Sequence, residues 1–278
     1  MNWSKAKNVL IIFFLLINIA LVTDIIYSSN KANIITPEII NSTVEVLAKN
    51  DISIDTGIIP SKTSSLPYIE VTNIITSPDE FAEQILGNGY SYNSENSEYT
   101  KDDNRLTIVG DKFAFYPASP ISGDLFADIS DKNAVKKAVQ VLSDYGINLN
   151  KYVSYVESAD GVYNIYLTKK VKSKLLFDSK IYISATNQGI SHIEGTWFNE
   201  TNYNSYKNKI QLNNITSVLV EFILNEKRPQ SAITINDLQL GYSLGDDNIY
   251  HRTMVLIPAW KIQLDDYTCY YVDARESK

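Results

Sequence analysis

The sequence predicts an α+β protein in which a single N-terminal transmembrane helix precedes an ectodomain of helices and antiparallel β-meanders. Three observations predict it. The chain opens with an apolar run of membrane-spanning length, an amphipathic helical pattern occurs twice farther along, and each time several apolar segments separated by turn residues follow it. A helix followed by a meander, used twice, gives sheets that have one face covered by a helix.

The N-terminal apolar run, Val9–Tyr27, predicts an uncleaved signal anchor. A helix of 19 residues is roughly 28 Å long, which matches the hydrocarbon core of a bilayer. No small-x-small cleavage site closes the run, and its only polar residues are Asn18, Thr23 and Asp24. Lys5 and Lys7 precede it, so the positive-inside rule predicts a cell-membrane protein with a single pass, residues 1–8 in the cytoplasm and the C-terminal domain outside.

Asn18 in the middle of this run has two interpretations. A single amide is tolerated among strongly apolar residues, or it hydrogen-bonds to another transmembrane helix, a contact worth about 0.6–2 kcal/mol. Polar residues inside a membrane are often functional, so the candidate partner-binding residues in the membrane are Phe14, Asn18 and Leu21.

The amino-acid composition restricts which class of protein the part of the chain after the anchor can belong to. The 44% hydrophobic and 11% aromatic content is that of a folded domain with a core. Removing the charge of Lys5 and Lys7 from the net charge of −7 leaves −9 for the part outside, which argues against nucleic acid and against adhesion to anionic lipid. The single cysteine, Cys269, excludes an internal disulfide framework.

The first part of the ectodomain is predicted to be irregular. Residues 28–67 form a tether and a connector with one helix, which Thr36, Pro37 and Glu38 begin. Residues 68–128 contain a short helix from Ser77 to Leu86, a polar loop or hairpin tip at 89–105, and two strands joined at Gly110-Asp111.

Two units of similar pattern follow. Residues 129–200 predict a helix from Asp131 to Tyr145 and then strands at about 152–158, 162–171, 175–185 and 190–198. Residues 211–275 predict a helix capped by Asn213 or Asn214 and closed before Pro229, and then strands at about 232–244, 251–257, 259–265 and 268–274. The pattern leaves open whether these segments form one body or two.

The sequence offers no convincing catalytic or metal site. His192 and His251 are the only histidines, and neither lies in a cluster of ligands. Phosphate-binding glycine motifs and a nucleophile elbow are absent. Cys269 with His251 and Arg275 has the residue types of a sortase-type transpeptidase, but the cysteine lacks the preceding Thr-Leu-x-Thr and the histidine lies only 18 residues upstream. We therefore expect no catalytic residue, cofactor or metal.

The paired aspartates and the Pro258-Ala259-Trp260 segment have structural interpretations. The pairs, which fit no calcium loop and suit hairpin turns, are Asp102-Asp103, Asp246-Asp247 and Asp265-Asp266. Pro258 predicts a corner at which Trp260 packs a helix onto the sheet. The alternative is an exposed aromatic binding surface, with Tyr242, Trp260 and Tyr271 as its candidates.

Several segments resemble the YycH/YycI family, in particular its YycI branch. They are the opening "NWSKAKN" with "LIN" in the apolar run, and "INDLQLGYSL", "LIPAWKIQL" and "YYVDA" near the end. The ending is also similar to PepSY-like modules. The resemblance places Trp3 and Ser4 at the cytoplasmic edge of the anchor.

The resemblance implies a non-enzymatic accessory regulator of a cell-wall-sensing two-component system in low-GC Gram-positive bacteria. Its partners would be a sensor histidine kinase of the YycG/WalK type, a YycH-type paralogous regulator and the membrane, reached through transmembrane-helix and ectodomain contacts. The alternative is a membrane-tethered ligand-binding or protease-inhibitor module that works without a kinase. The regulator requires the native sequence of its anchor, whereas a tethered module works with any apolar helix.

Overall fold

The structure, a computed structural model, describes residues 7, 11, 13–23, 34–63, 65–126, 129–201, 209–229, 231–245 and 253–275. Residues 13–23 are helical and their side chains are exposed. Within the described residues, no helix combines the length and the apolarity needed to cross a bilayer. The rest of the predicted Val9–Tyr27 span, and the predicted edge residues Trp3 and Ser4, lie outside the described residues.

The chain divides into two compact units. Unit 1 consists of residues 1–66, 211–238 and 262–278, and unit 2 consists of residues 67–210 and 239–261. The described elements of unit 1 are helices α1 (Pro37–Ala48) and α4 (Ile215–Ile223), strands β1 (Ile52–Ile54) and β16 (Cys269–Asp273), and parts of β14 (Ile233–Leu244) and β15 (Met254–Leu264). Two-residue strands β2 (Leu66–Pro67) and β13 (Lys209–Ile210) lie where the chain passes from the residues of one unit to those of the other.

Helices α1 and α4 and a parallel strand pair hold the described parts of residues 1–66 and 211–238 of unit 1 together. Helix α1 buries Ile40 and Leu47 and packs against α4, which buries Leu219 and Phe222. Strand β1 pairs in parallel with β14, so that Ile52 is opposite Ile233. Asn214 begins α4 without capping it, because its Oδ1 accepts a hydrogen bond from Thr63 Oγ1 at 3.1 Å.

The described residues of unit 2 form most of one large sheet and two α-helices, α2 (Pro78–Leu86) and α3 (Asp131–Asp144). The sheet has the strand order β12-β3-β15-β14-β10-β11-β7-β6-β5-β4, and β9 and then β8 extend it from β10. The remaining strands are β3 (Ile69–Asn73), β4 (Ser91–Asn93), β5 (Glu98–Lys101), β6 (Asn104–Val109), β7 (Lys112–Tyr116), β8 (Tyr152–Ala159), β9 (Val162–Val171), β10 (Lys174–Thr186), β11 (Gly189–Thr196) and β12 (Phe198–Glu200).

Local signals explain the elements at the centre of unit 2. Helix α3 ends at Gly146, which has a φ of +76° and forms a Schellman motif in which Ile147 N donates to Leu142 O and Gly146 N to Ser143 O. Two-residue turns join β8 to β9, β9 to β10 and β10 to β11. The first of these is Asp160-Gly161, and both residues have the positive φ of a type I′ turn.

The core of unit 2 lies between its helices and one face of the sheet. Ala134, Ala138 and Leu142 of α3 are fully buried, and the apolar side chains of the central strands that share this core include Leu106, Phe113, Phe115, Ile165, Leu167, Ile181, Ile183 and Ile193. These positions alternate along each strand, so the residues between them face away from the core.

The prediction of a mixed α+β fold is confirmed, and three details of it are wrong. The polar segment 89–105 forms β4 and β5 and begins β6, because edge strands tolerate polar side chains. Two strands predicted around Pro258 are one strand, β15. Strand β15 pairs with β3 only as far as Leu256. The backbone N–H that proline lacks is therefore not required for a hydrogen bond to β3 at Pro258. Finally, β14 pairs in parallel with β1 and β10, so the strands are not purely antiparallel.

We expect Gly195→Ala to destabilise the protein strongly. Gly195 has a φ of +151°, and a Cβ there would lie 2.1 Å from the carbonyl oxygen of Lys180. Because backbone must move, the free energy of unfolding should fall by about 2–3 kcal/mol. The control is Gly161→Ala, where φ is +76° and no atom lies within 4 Å of the added Cβ, and where about 1 kcal/mol is expected. A smaller shift of the urea midpoint for Gly195→Ala than for the control would contradict this.

Candidate interaction surface

A continuous row of stacked side chains crosses six neighbouring strands on the outward face of the unit 2 sheet. We call it the aromatic ladder. Its members come one from each of β6, β7, β11, β10, β9 and β8, in the order Arg105, Tyr116, His192, Tyr182, Tyr166 and Tyr155. Each member occupies an outward position between two inward-facing positions of its strand, so the pleat of the sheet places all six on one face.

Ring contacts connect each member of the ladder to the next. The Arg105 guanidinium lies 5.5 Å from the centroid of the Tyr116 ring. Tyr116 stacks on His192 with ring centroids 4.3 Å apart and planes at 11°, and His192 meets Tyr182 edge-on at 5.7 Å. Tyr182 and Tyr166 are 5.2 Å apart, and Tyr166 and Tyr155 are 6.0 Å apart. Such aromatic and cation–π pairs stabilise cross-strand packing by about 0.5–1.5 kcal/mol each.

Two of the tyrosine hydroxyls of the ladder donate hydrogen bonds to nearby side chains. Tyr182 Oη donates to Asn164 Oδ1 at 2.8 Å, and Tyr166 Oη donates to Glu157 Oε2 at 3.4 Å. Partial burial, followed by the charge of Glu157, raises the pKa of Tyr166. The Tyr166 hydroxyl therefore remains a neutral donor at physiological pH. Tyr155, at the end of the ladder, is 62% exposed.

His192 is the titratable group inside the ladder. Its Nε2 lies 3.4 Å from Glu194 Oε2, but the two atoms are not aligned as a hydrogen bond, and Nε2 has no other partner among the described residues. Burial between Tyr116 and Tyr182 lowers the pKa of His192, and the charge of Glu194 opposes this only in part. The imidazole is therefore neutral at pH 7 and stacks as an aromatic ring.

A buried lysine fixes the start of β8, where the ladder ends. Lys169 of β9 is 1% exposed, and its Nζ donates to the carbonyl oxygen of Asn150 at 3.2 Å and also to Asn150 Oδ1. The ammonium lies 5.3 Å from the centroid of the Trp197 ring. Burial lowers the pKa of Lys169, and nearby Glu200 opposes the shift. Removing the ammonium would leave the Asn150 groups unsatisfied.

The residues that the sequence proposed for an ectodomain surface lie elsewhere. Tyr242 is 1% exposed and donates its hydroxyl to the carbonyl oxygen of Pro67 at 3.0 Å. Trp260 is 2% exposed, so it packs as the structural interpretation expects, although within a continuous strand and not at a corner. Tyr271 is 41% exposed. Burial thus removes Tyr242 and Trp260 from any exposed surface.

In the N-terminal helix, Phe14, Asn18 and Leu21 share one face because they are spaced i, i+4 and i+7. Asn18 Nδ2 donates to the carbonyl oxygen of Phe14 at 2.8 Å. The side-chain oxygen of Asn18 accepts no hydrogen bond from the described residues.

The groups weighed for catalysis and metal binding are placed as follows. Cys269 Sγ contacts the carbonyl oxygen of Tyr267 at 3.4 Å, and Arg275 Nη2 pairs with Asp273 Oδ2 at 2.6 Å. His251 and Asp246-Asp247 lie outside the described residues. Asp102-Asp103 forms a turn with positive φ at both residues, and Asp266 Oδ1 accepts from Thr268 N, so these acids serve turns as predicted. Among the described residues, no group of three metal-ligating side chains comes together.

The aromatic ladder was missed by sequence reasoning, although a signal for it exists. Successive strands carry an aromatic residue beside or between aliphatic ones, in "NIYL", "KIYI" and "SHIE". An exposed row of tyrosines with an arginine at one end has the composition of a protein-binding surface, since Tyr and Arg are enriched at interfaces.

We expect the stability of the protein to fall on acidification, in part through His192. Its folded pKa lies below the ordinary value of about 6.5, so the folded state resists a proton that the unfolded state binds. This contribution to stability is fully present above the unfolded pKa and is lost as the pH falls through the folded pKa. The shift of the unfolding midpoint between about pH 7.5 and about pH 5.5 should be smaller for His192→Gln than for the native chain. An equal shift in both proteins would contradict this assignment.

Two solved structures are similar to this chain, and the first of them supports the fold. The crystal structure of an uncharacterized protein from Eubacterium rectale is similar with a TM-score of 0.50 and 14% sequence identity, covering 87% of this chain and 97% of that one. The C-terminal domain of Bacillus megaterium YpeB gives a TM-score of 0.33 and 10% identity, covering 71% of this chain and 91% of that domain. No curated protein matches the sequence.

The family is settled by a match of sequence. The family model described as YycI protein matches residues 30–275, which is most of the chain, and it confirms the resemblance found in the sequence. YycI proteins are regulatory accessory proteins associated with the YycG/WalK two-component system, and they are not a known enzyme family. This chain belongs to the YycI family.

Proposed function

We propose that this protein is a membrane-anchored, non-enzymatic regulator of a cell-wall-sensing histidine kinase of the YycG/WalK type. Its N-terminal helix contacts a transmembrane helix of the kinase or of a YycH-type paralogous regulator, and its ectodomain contacts a partner outside the cell. Family membership is the observation that carries this proposal. The apolar run Val9–Tyr27, with lysines only on its N-terminal side, supports the single-pass topology with the N-terminus inside.

The geometry of Asn18 supports a contact inside the membrane. One N–H of its amide is used within the helix, on the carbonyl oxygen of Phe14. The side-chain oxygen and the second N–H are left for another group, and in hydrocarbon no water satisfies them. Phe14 and Leu21 lie on the same face and supply apolar packing on either side of the amide.

A regulator of this kind acts by contacting two states of the kinase differently. The protein shifts the kinase only by the difference in its free energy of binding to those states, which is typically about 1–3 kcal/mol for such couplings. The aromatic ladder supplies an ectodomain surface with suitable chemistry, because stacked tyrosines bury area at little cost in side-chain entropy.

The contact through Asn18 is tested by co-purifying the kinase with full-length variants. Asn18→Leu should weaken capture by about 3–30-fold, since the lost interhelical hydrogen bond is worth about 0.6–2 kcal/mol. The matched control is the double variant Asn18→Leu with Leu16→Asn, which keeps the composition but moves the amide to the opposite face of the helix. It should be as weak as Asn18→Leu.

Replacement of Val9–Tyr27 by an unrelated polyleucine helix should abolish capture. Full capture of the kinase by this swap would mean that the helix is only a tether, and capture of the kinase by no form, the native chain included, would favour the kinase-independent module. Full capture by Asn18→Leu alone would overturn the role of the amide while leaving the rest of the helix in place.

The topology is tested with the single cysteine. Cys269 is partly exposed, so a membrane-impermeant maleimide should label it in intact cells after wall digestion. The control carries Cys269→Ser with Ser4→Cys and should be labelled only after the membrane is permeabilised. Labelling of the control in intact cells, with protection of Cys269, would contradict the proposed orientation.

A further inference from the structure

Strand β8 forms a long edge of the unit 2 sheet. It has eight residues, and its pairing with β9 is regular from Tyr152 opposite Lys169 to Ala159 opposite Val162. Among the described residues, β8 pairs with no other strand, and no backbone hydrogen bond reaches its second side. Five of its residues are exposed, including Ser154, Tyr155 and Ser158.

The backbone groups on this second side follow from the turn. In a two-residue type I′ hairpin the residues that flank the loop, Ala159 and Val162, form a hydrogen-bonded pair. Hydrogen-bonded and non-bonded pairs then alternate along the ladder of an antiparallel pair. The N–H and C=O groups that point away from β9 therefore belong to Tyr152, Ser154, Val156 and Ser158.

This edge lacks the features that normally prevent strand addition. Natural edge strands are short, kinked by a bulge, interrupted by proline or rich in lysine. Strand β8 contains no proline, no lysine and no register shift, and Glu157 is its only charged residue. Four of its residues, Tyr152, Val153, Tyr155 and Val156, are β-branched or aromatic, which suits a pleated interface.

We propose that two copies of this chain pair along β8 in antiparallel orientation, with Ser154 opposite Ser154 of the second copy. In this register Tyr152 is opposite Val156 of the second copy, and Val153 is opposite Tyr155. Both are pairs of aromatic and β-branched residues, which stabilise antiparallel strands. Just beyond the strand, Lys151, which has a φ of +49° and whose Nζ also lies 3.3 Å from Glu200 Oε1, comes near Glu157 of the second copy, so opposite charges meet at each end of the interface.

The neighbouring register is less complementary. With Tyr155 opposite Tyr155, Tyr152 would face Ser158, Val153 would face Glu157, and Val156 would face Ser154. Each of these pairs sets an apolar side chain against a polar one. A shift of the register between the two copies by a single residue is excluded, because it would turn the side chains of one strand to the other face of the sheet.

The pairing continues the aromatic ladder from one copy into the other. Tyr155 ends the ladder at this edge, and in the proposed register it lies diagonal to Tyr155 of the second copy, about 7–8 Å away and within reach of aromatic contact. An interface of one strand pair is smaller than a stable soluble dimer requires. Confinement of anchored chains to a membrane raises their effective concentration, which favours such a weak pair.

The experiment uses the full-length protein in nanodiscs that hold two copies, with Cys269→Ser as the background. Ser154→Cys is compared with Ser158→Cys under mild oxidation, since both residues are exposed and lie on the same face of β8. In the proposed register the Cα atoms of the two residues 154 are about 5.5 Å apart, a distance that a disulfide spans. The two residues 158 are roughly 27 Å apart. We expect a covalent dimer for Ser154→Cys and its loss for Ser158→Cys.

A second variant tests the backbone contacts. Ser154→Pro removes an N–H that points away from β9, so the chain should keep its unfolding midpoint but lose the dimer measured by light scattering. Equal crosslinking at both cysteines, crosslinking at neither, or a dimer that survives Ser154→Pro would overturn the proposal. Capture of a different protein by Ser154→Cys in place of a second copy would also overturn it. The kinase is absent from these samples, so their outcome is independent of the proposed function.

Discussion

The packing of helix α3 against the central strands is the contact on which the rest of unit 2 depends. Ala134 and Ala138 are small enough for the helix to lie close to β8 and β9, and Leu142 fills the space beside them. This contact fixes which residues of each strand face inward. Since side chains alternate along a strand, the burial of Ile165, Ile181 and their neighbours leaves Tyr166 and Tyr182 no position except the opposite face. The aromatic ladder is therefore a consequence of the core.

Sequence reasoning predicts the elements whose signals are local. The end of α3 follows from Gly146, and the β8–β9 hairpin from Asp160-Gly161, because a positive φ needs these residue types. Other features depend on distant parts of the chain. The parallel pairing of Ile52 with Ile233, and the continuation of β15 through Pro258 after β3 has ended, have no signal in the nearby residues. The burial of Tyr242 and Trp260 likewise depends on distant parts of the chain. Residue type marks both as interface candidates, but their strands place them inside. The tyrosines of the ladder could be found only by combining alternation with the register of four strands.

Order along the chain also determines when each part can form. Strands β8 to β11 occupy the sheet in the order β8-β9-β10-β11, and two-residue turns connect them, so their contacts join residues close in sequence. Such local contacts form quickly, whereas pairing β1 with β14 must wait until most of the chain has been made. The meander therefore folds while the C-terminal strands are still absent, and β8 is an open edge from that moment. Chains synthesised side by side would meet at this edge before β14 has paired with β1.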